Sequence, residues 1–522
     1  MNNGLSQIEH IIVVMFENRS FDNVLGWLYD PRNAPPFDKV PSQQTFEGLN
    51  NTSIQDPYGT SEDSPTYPPV YGNELYDPCP DPNEKYEFVW RQLYNQVYPT
   101  PPSDSTPNML GFINDYATAK GVAAASAPVI MNCFTPNDVP IISALANWYT
   151  VCDHWFASVP SQTFANRSYV HAGTSSGYVN NQWNDKLHLP LDFLINDTAT
   201  IFNLLEANQK TWKLYYGVPT VLLSNAVLTQ DKLRPFAFNK NHIAPMSDFW
   251  TDIQGDAASF PSYTFIEPNF FSITEQENDE HPQASPFYIG GKSNPSNAVY
   301  GELLLYKIFE ALKTNCALWK TTLLVILFDE HGGTFDHYPP SPSCVSPDGI
   351  VIPSSSPGGY DFNFQRYGVR VPAVLVSPFI AGQTVTNTLF DHTSVLKTVI
   401  NCFGLTADGQ PQSPPATLLR REENATDLSE VLTLTTPRTD FPTLSEPVPP
   451  ISGFNFADVA DLALTEFQQS MLLLALQRVP LLAAGAAAVP AELLARVLET
   501  HTDAKDVVDF LTTIEEAARA IG

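Results

Sequence analysis

Two stretches of the chain are apolar without interruption and then stop abruptly. Leu323-Leu324-Val325-Ile326-Leu327-Phe328 breaks into Asp329-Glu330-His331-Gly332-Gly333. Near the start, the strand read over Ile8-Glu9-His10-Ile11-Ile12-Val13-Val14-Met15-Phe16, unbroken in its apolar run from Ile11, ends on Glu17-Asn18-Arg19-Ser20-Phe21-Asp22. Runs of this kind are the pattern of strands buried on both faces of a largely parallel sheet. Between them the periodicity alternates. Residues 139–151 read as a helix leading into a strand, and 200–205 and 211–216 as a helix and then a strand. Residues 263–266 form a short strand closed by Glu267, 299–312 an amphipathic helix feeding the 323–328 strand, and 369–377 a further strand. Alternating helices and buried strands predict an α/β domain: a central, mostly parallel sheet flanked by helices.

Three stretches depart from that alternation. Residues 31–108 are rich in Pro, Asn, Asp, Ser and Tyr, and are too long for an ordinary connection. A Pro-rich stretch at 437–450 marks a boundary. Beyond it the chain is rich in Ala, Leu and Glu at helical spacing, which predicts three or four helices broken at Pro480 and Pro490. The expected division is an α/β domain over 1–436, a linker over 437–454 and a small all-α extension over 455–522.

Composition narrows the functional classes. With 43% apolar residues in 522, a sizeable core is available. The formal charge of −29 argues against nucleic acid, whose phosphate backbone calls for basic surface, and against electrostatic docking on anionic lipid. A phosphorylated substrate would have to be drawn in locally, by a metal and by residues such as Arg167. The six cysteines are scattered without metal-binding spacing. No basic and apolar leader precedes the first strand, so the expectation is a cytoplasmic protein, or one exported without a visible signal peptide.

Ligands in open α/β sheets gather at the carboxyl ends of strands. Glu17, Asn18, Asp329 and Glu330 stand at two such ends. Three carboxylates and an amide oxygen brought together would repel one another unless a cation sat among them. Such a set suits a hard or borderline divalent ion, zinc included. A hydroxyl beside that ion becomes a usable nucleophile, and both Thr163 and Ser161 of Ser161-Gln162-Thr163-Phe164-Ala165-Asn166-Arg167 are candidates. His281, His337 and His392 lie in polar loop segments, the last two directly after an aspartate, and fit phosphate contact and proton donation.

Together with Asn278-Asp279-Glu280-His281-Pro282 and Thr334-Phe335-Asp336-His337, these motifs resemble the phosphoesterase family. That family contains bacterial phospholipases C, plant non-specific phospholipases C and an acid phosphatase branch. The resemblance covers roughly residues 8 to 405. It implies an alkaline-phosphatase-like fold with one or more divalent ions, zinc favoured and calcium or another divalent ion as alternatives. It further implies ligation by Glu17, Asn18, Thr163, Asp329 and Glu330, attack by Thr163 through a covalent phosphothreonine, and a catalytic role for Asn166, Arg167, His281, His337 and His392. Two departures stand out. Ala165 replaces a family proline, and Glu84 in Asp81-Pro82-Asn83-Glu84 stands where many members carry histidine.

The function expected from the resemblance is a metal-dependent phospholipase C. It would cleave a phosphatidylcholine-like glycerophospholipid to diacylglycerol and a phosphorylated head group, with transient contact at a membrane surface. The alternatives are an acid phosphatase acting on phosphomonoesters and a non-catalytic binding module.

Overall fold

The structure is a computed structural model that describes residues 4–75, 77–98, 106–181, 195–271, 276–282, 287–289, 292–294, 298–341, 343–356, 359–410, 413, 415–449, 464–482 and 501–521. Its centre is an eight-stranded sheet. In chain order the strands are β1 (His10–Phe16), β2 (Thr150–Cys152), β3 (Trp212–Tyr216), β4 (Ile243–Pro245), β5 (Tyr263–Glu267), β6 (Thr322–Phe328), β7 (Ala373–Val376) and β8 (Thr384–Thr386). Across the sheet they run β8-β2-β7-β6-β1-β5-β3-β4. Every residue of β1 and β6 is buried, as expected of central strands covered on both faces.

The sheet is mostly parallel. The exception is β7, which runs antiparallel to both β6 and β2. The expected strand over 369–377 also contracts to four residues, because Pro372 at its start has no N–H to give the ladder. Helices α1 (Phe21–Leu25), α2 (Tyr86–Tyr94), α3 (Pro140–Trp148), α4 (Thr163–Ala172), α5 (Ala298–Thr314) and α6 (Thr393–Phe403) surround the sheet.

The long 31–108 stretch is built rather than loose where it is described. Asp56–Pro57 pairs antiparallel with Thr66–Tyr67, and Val70–Tyr71 lies parallel to Asn132–Cys133. Helix α2 adds Tyr86 and Trp90 to an aromatic cluster with Tyr98 and Tyr360.

Two helices of the C-terminal stretch are described, α7 (Glu466–Leu482) and α8 (His501–Ile521). The expected break at Pro480 does not occur, because α7 continues two residues past it. Near a helix end proline forfeits one hydrogen bond to the preceding turn, and the last residues still wind on. Pro490 lies outside the described residues. Both helices lie against the α/β layer. Phe467 meets the rings of Phe164 and Phe270, Arg478 donates to the Leu228 carbonyl at 2.6 Å, and Glu515 accepts from Val221 N at 2.9 Å. All six cysteines are free thiols. No helix among the described residues is long and apolar enough to cross a membrane.

Candidate active site

Register brings the two acidic strand ends together. Phe16 of β1 lies opposite Phe328 of β6, so the next residues, Glu17 and Asp329, emerge side by side. The ladder extends one step further, with Asp329 N donating to the Phe16 carbonyl at 3.1 Å. Asn18 then takes a left-handed conformation (φ 56°), which asparagine tolerates better than most residues. Its N–H donates to Asp329 Oδ1 at 3.1 Å. Gly332 packs on this turn with φ 59°, and a Cβ there would lie 2.0 Å from the Asn18 carbonyl oxygen.

Helix α4 supplies the third side. Thr163 is its first residue, and Thr163 and Arg167, four apart, share one face. Thr163 Oγ1 lies 3.2 Å from Glu17 Oε2 and 3.5 Å from Asn18 Oδ1. Arg167 Nη2 pairs with the other Glu17 oxygen, and its Nε lies 3.3 Å from Asp329 Oδ2. Glu17, Asn18, Thr163, Arg167, Asp329 and Glu330 are all completely buried. Glu330 Oε2 accepts from Gly332 N at 2.8 Å, while its Oε1 is buried without a hydrogen-bond partner.

Burial dominates the electrostatics. It pushes the Glu17 carboxyl well above its usual range; Arg167 opposes the rise and Asp329 adds to it. Burial, with the neighbouring Asp329 charge, does the same to Glu330. Burial alone would lower the Arg167 guanidinium, but Glu17 and Asp329 more than offset that and hold it above its ordinary value. The result is a buried set of acidic side chains with a hydroxyl at the positive end of a helix, an arrangement suited to a cation and to a negatively charged group beside it.

The remaining sequence candidates fall into different places. Ser161 Oγ donates to Asn180 Oδ1 at 2.8 Å, away from the acids, which leaves Thr163 as the hydroxyl among them. Asn166 turns back on its own loop: its Nδ2 donates to the carbonyls of Val159, Ser161 and Gln162, and its Oδ1 accepts from Val159 N. Arg167 engages Glu17, Asp329 and the Met15 carbonyl through Nη2 and Nε, while its Nη1 is buried without a hydrogen-bond partner. His392 is engaged at both ring nitrogens, accepting from Trp155 Nε1 at 3.3 Å and donating through Nε2 to the Asp329 carbonyl at 2.6 Å. It therefore steadies the strand end instead of facing a phosphate.

His337 belongs to a neighbouring cluster. Its Nδ1 lies 2.6 Å from Asp22 Oδ2, and Arg370 bridges Asp22 and Asp336 at 3.0 and 3.1 Å. Burial alone would lower the His337 imidazole, but the Asp22 charge outweighs it and raises the pKa. His281 lies in a third group with Asp81 and Glu84, and burial pulls its imidazole down to about 4. Glu84 touches the Thr163 set directly, since Asn18 Nδ2 donates to its Oε1 at 2.5 Å.

Sequence patterning left Asp81, Glu84 and Phe467 without a role. Proximity to the Asp-Pro-x-His position was the one available signal for the first two. Nothing in the 455–522 stretch marks Phe467 as lying over His281, with its ring stacked 6.1 Å from the imidazole at an interplanar angle of 13°.

The phosphoesterase family model matches residues 8–406, which span all of these elements except the C-terminal helices. The chain belongs to the phosphoesterase family. It is a phosphoric ester hydrolase with homologues in plants and bacteria. Non-specific phospholipase C3 of Arabidopsis thaliana is 31% identical over 481 residues, covering 90% of this chain and 82% of that protein. Phospholipase C B of Mycobacterium tuberculosis is 28% identical over 430 residues, covering 77% and 74%. Among solved structures, the lipoteichoic acid synthase LtaP of Listeria monocytogenes matches at 12% identity with a TM-score of 0.32, covering 55% of this chain and 70% of that one. A protein in the alkaline phosphatase superfamily from Vibrio parahaemolyticus matches at 12% identity with a TM-score of 0.29, covering 51% and 60%. At those scores the architecture of this phosphoesterase rests on its own strand order, not on the likeness.

Proposed function

We propose that this phosphoesterase is a metal-dependent phospholipase C that cleaves glycerophospholipids of the phosphatidylcholine kind. The observation that carries the reading is the Thr163 hydroxyl, 3.2 Å from Glu17 and 3.5 Å from Asn18 at the first turn of a buried helix. The similarity to plant and mycobacterial phospholipases C supports the substrate class.

Glu17, Asn18, Thr163, Asp329 and Glu330 would hold the ion, for which zinc is favoured over calcium or another divalent ion. The residues fit: Glu330 Oε1 is buried without a hydrogen bond, and Arg167 is the cation that pairs with both Glu17 and Asp329 among the described residues. When bound, the ion would ease deprotonation of a neighbouring hydroxyl and offset charge on phosphoryl oxygens. Thr163 gives up its proton and its oxygen attacks phosphorus. The bond from phosphorus to the glycerol oxygen breaks, leaving diacylglycerol and a phosphothreonine that still bears the head group. Of the three loop histidines, His337 is the one whose carboxylate partner favours protonation, and we assign it proton donation to the departing oxygen. Water then attacks the phosphothreonine and releases the phosphorylated head group.

In this reading Arg167 and His392 position the acids, and Asn166 fixes the loop that begins α4. Residues 1–436 form the catalytic unit, 437–454 the linker and 455–522 an extension whose helices α7 and α8 brace that unit. The test compares phosphatidylcholine with p-nitrophenyl phosphate, with divalent ion added, for wild type and Thr163→Ala. The expected result is preference for the lipid diester, with turnover lost in Thr163→Ala while circular dichroism is unchanged. Preference for the monoester makes the protein a phosphatase instead. Substantial activity in Thr163→Ala removes Thr163 as nucleophile.

A further inference from the structure

Two side-chain amides beside Thr163 are only half engaged. Gln162 is the residue directly before α4, and Asn181 lies in the stretch that follows it. Gln162 Oε1 accepts from Asn181 N at 3.0 Å, and Asn181 Oδ1 accepts from Phe164 N at 2.9 Å. A backbone N–H only donates, so in each amide the oxygen takes this contact and the NH2 group forms the other arm. Both side chains are completely buried, and among the described residues Gln162 Nε2 and Asn181 Nδ2 have no hydrogen-bond partner.

The contacts fix where these arms lie. Phe164 N belongs to the first turn of α4, one residue past Thr163, so the Asn181 amide sits against that turn. The Gln162 amide is held against the Asn181 backbone and lies next to it. The N–H groups of a helix's first turn have no partner within the helix, so this end gathers donors. The acids beside Thr163 do not take up the free amides, since Glu330 Oε1 is itself buried without a hydrogen bond. Buried donors are rarely left unpaired, and a cation can satisfy a carboxylate but never an NH2 group. What both arms lack is an acceptor.

The proposed reaction brings one. Non-bridging phosphoryl oxygens accept hydrogen bonds and need stabilising as Thr163 Oγ1 closes on phosphorus. We propose that Gln162 Nε2 and Asn181 Nδ2 bind the non-bridging phosphoryl oxygens of the substrate, forming a neutral clamp on a phosphate ester. Neutral donors suit a site crowded with carboxylates. A lysine or arginine in their place would pair with the acids, as Arg167 does with Glu17 and Asp329. With each amide oxygen tied to a backbone N–H, the NH2 arms are held in place before substrate arrives, which is what stabilisation of a developing charge requires. The clamp rests on the proposed function only in placing phosphate at Thr163, and it serves a diester and a monoester alike.

The probe is inorganic phosphate, titrated calorimetrically into the full chain after loading with zinc and desalting. The proteins are wild type, Asn181→Asp, Gln162→Glu and Asn181→Leu. The two carboxylate variants keep an oxygen for the backbone N–H and replace the donor arm with an acceptor. At mildly alkaline pH each should bind phosphate about 10–100-fold more weakly than wild type, with circular dichroism unchanged. Asn181→Leu loses donor and cap together, so it should bind weakly and also melt at a lower temperature. As the pH falls, the affinity of the carboxylate variants relative to wild type should recover, because a protonated carboxyl regains a donor. A purely structural role predicts wild-type affinity in both carboxylate variants at every pH, with stability lost in Asn181→Leu. That result overturns the clamp and leaves the proposed function standing, whereas a wild type that binds no phosphate overturns both. Should the carboxylate variants fail to fold, a wild-type crystal soaked in phosphate decides. Phosphate oxygens about 2.7–3.2 Å from Gln162 Nε2 and Asn181 Nδ2 support the clamp, and phosphate bound with both amides turned to water refutes it.

Discussion

His171 offers a quantitative handle on the helix that carries Thr163. It sits in the last turn of α4, completely buried, with Phe265 edge-on at 4.6 Å and Phe202 at 5.6 Å. Neither ring nitrogen has a hydrogen-bond partner. Burial, reinforced by the Arg167 charge, lowers its pKa from 6.5 to about 3. Between those values the unfolded chain binds a proton that the folded chain refuses. The stability due to the neutral imidazole is therefore fully present above pH 6.5 and is lost as the pH falls toward 3. The slope is about 1.4 kcal/mol per pH unit, which amounts to about 3 kcal/mol two units below the unfolded pKa. His171→Leu, close in volume and unable to titrate, removes this term and leaves the other titrating groups in place. Urea unfolding followed by circular dichroism, from mildly alkaline to mildly acidic pH, measures the difference between the two proteins. Wild type should weaken relative to His171→Leu as acid is added, until the gap has changed by about 3 kcal/mol. Parallel profiles would refute the reasoning and mean that the imidazole takes up its proton in the folded state.

Three further substitutions test the packing around the site. Gly332→Ala must push against the Asn18 carbonyl and hold a positive φ; thermal unfolding should show a loss of about 2–4 kcal/mol, and an unchanged melt would contradict the turn geometry. Arg167→Met leaves Glu17 buried without its guanidinium, at a cost of about 3–5 kcal/mol in metal-free protein, part of which added zinc should restore. A loss under about 1 kcal/mol would show that the ion pair contributes little. Phe467→Ala removes a ring packed on Phe164, Phe270 and His281 and should weaken docking of α7 by about 3–5 kcal/mol, read as faster proteolysis after residue 450. An unaltered cleavage rate would mean that α7 is held elsewhere.

The framework of this site was legible because it depends on local pattern. Apolar runs ending on acids specify buried strands, and a parallel register then sets Glu17 beside Asp329. Four-residue spacing puts Thr163 and Arg167 on one helical face. Long-range partners were not legible. His337 and His392 each follow an aspartate in sequence, yet His337 pairs with Asp22, far upstream, and His392 with Trp155 and the Asp329 carbonyl. Adjacent side chains diverge, so a neighbouring acid says little about what an imidazole touches. The direction of β7 was hidden for a similar reason, since strand pattern records burial and not polarity. The position of α7 over His281 depends on tertiary packing that helical periodicity does not encode.

The central claim is that Thr163, not water, attacks phosphorus first. The stereochemical course of hydrolysis tests it most directly, with a phosphodiester made chiral at phosphorus by sulfur and a heavy oxygen isotope. Each in-line displacement inverts phosphorus, so passage through a phosphothreonine predicts net retention of configuration. Inversion would mean a single attack by water, with Thr163 confined to binding.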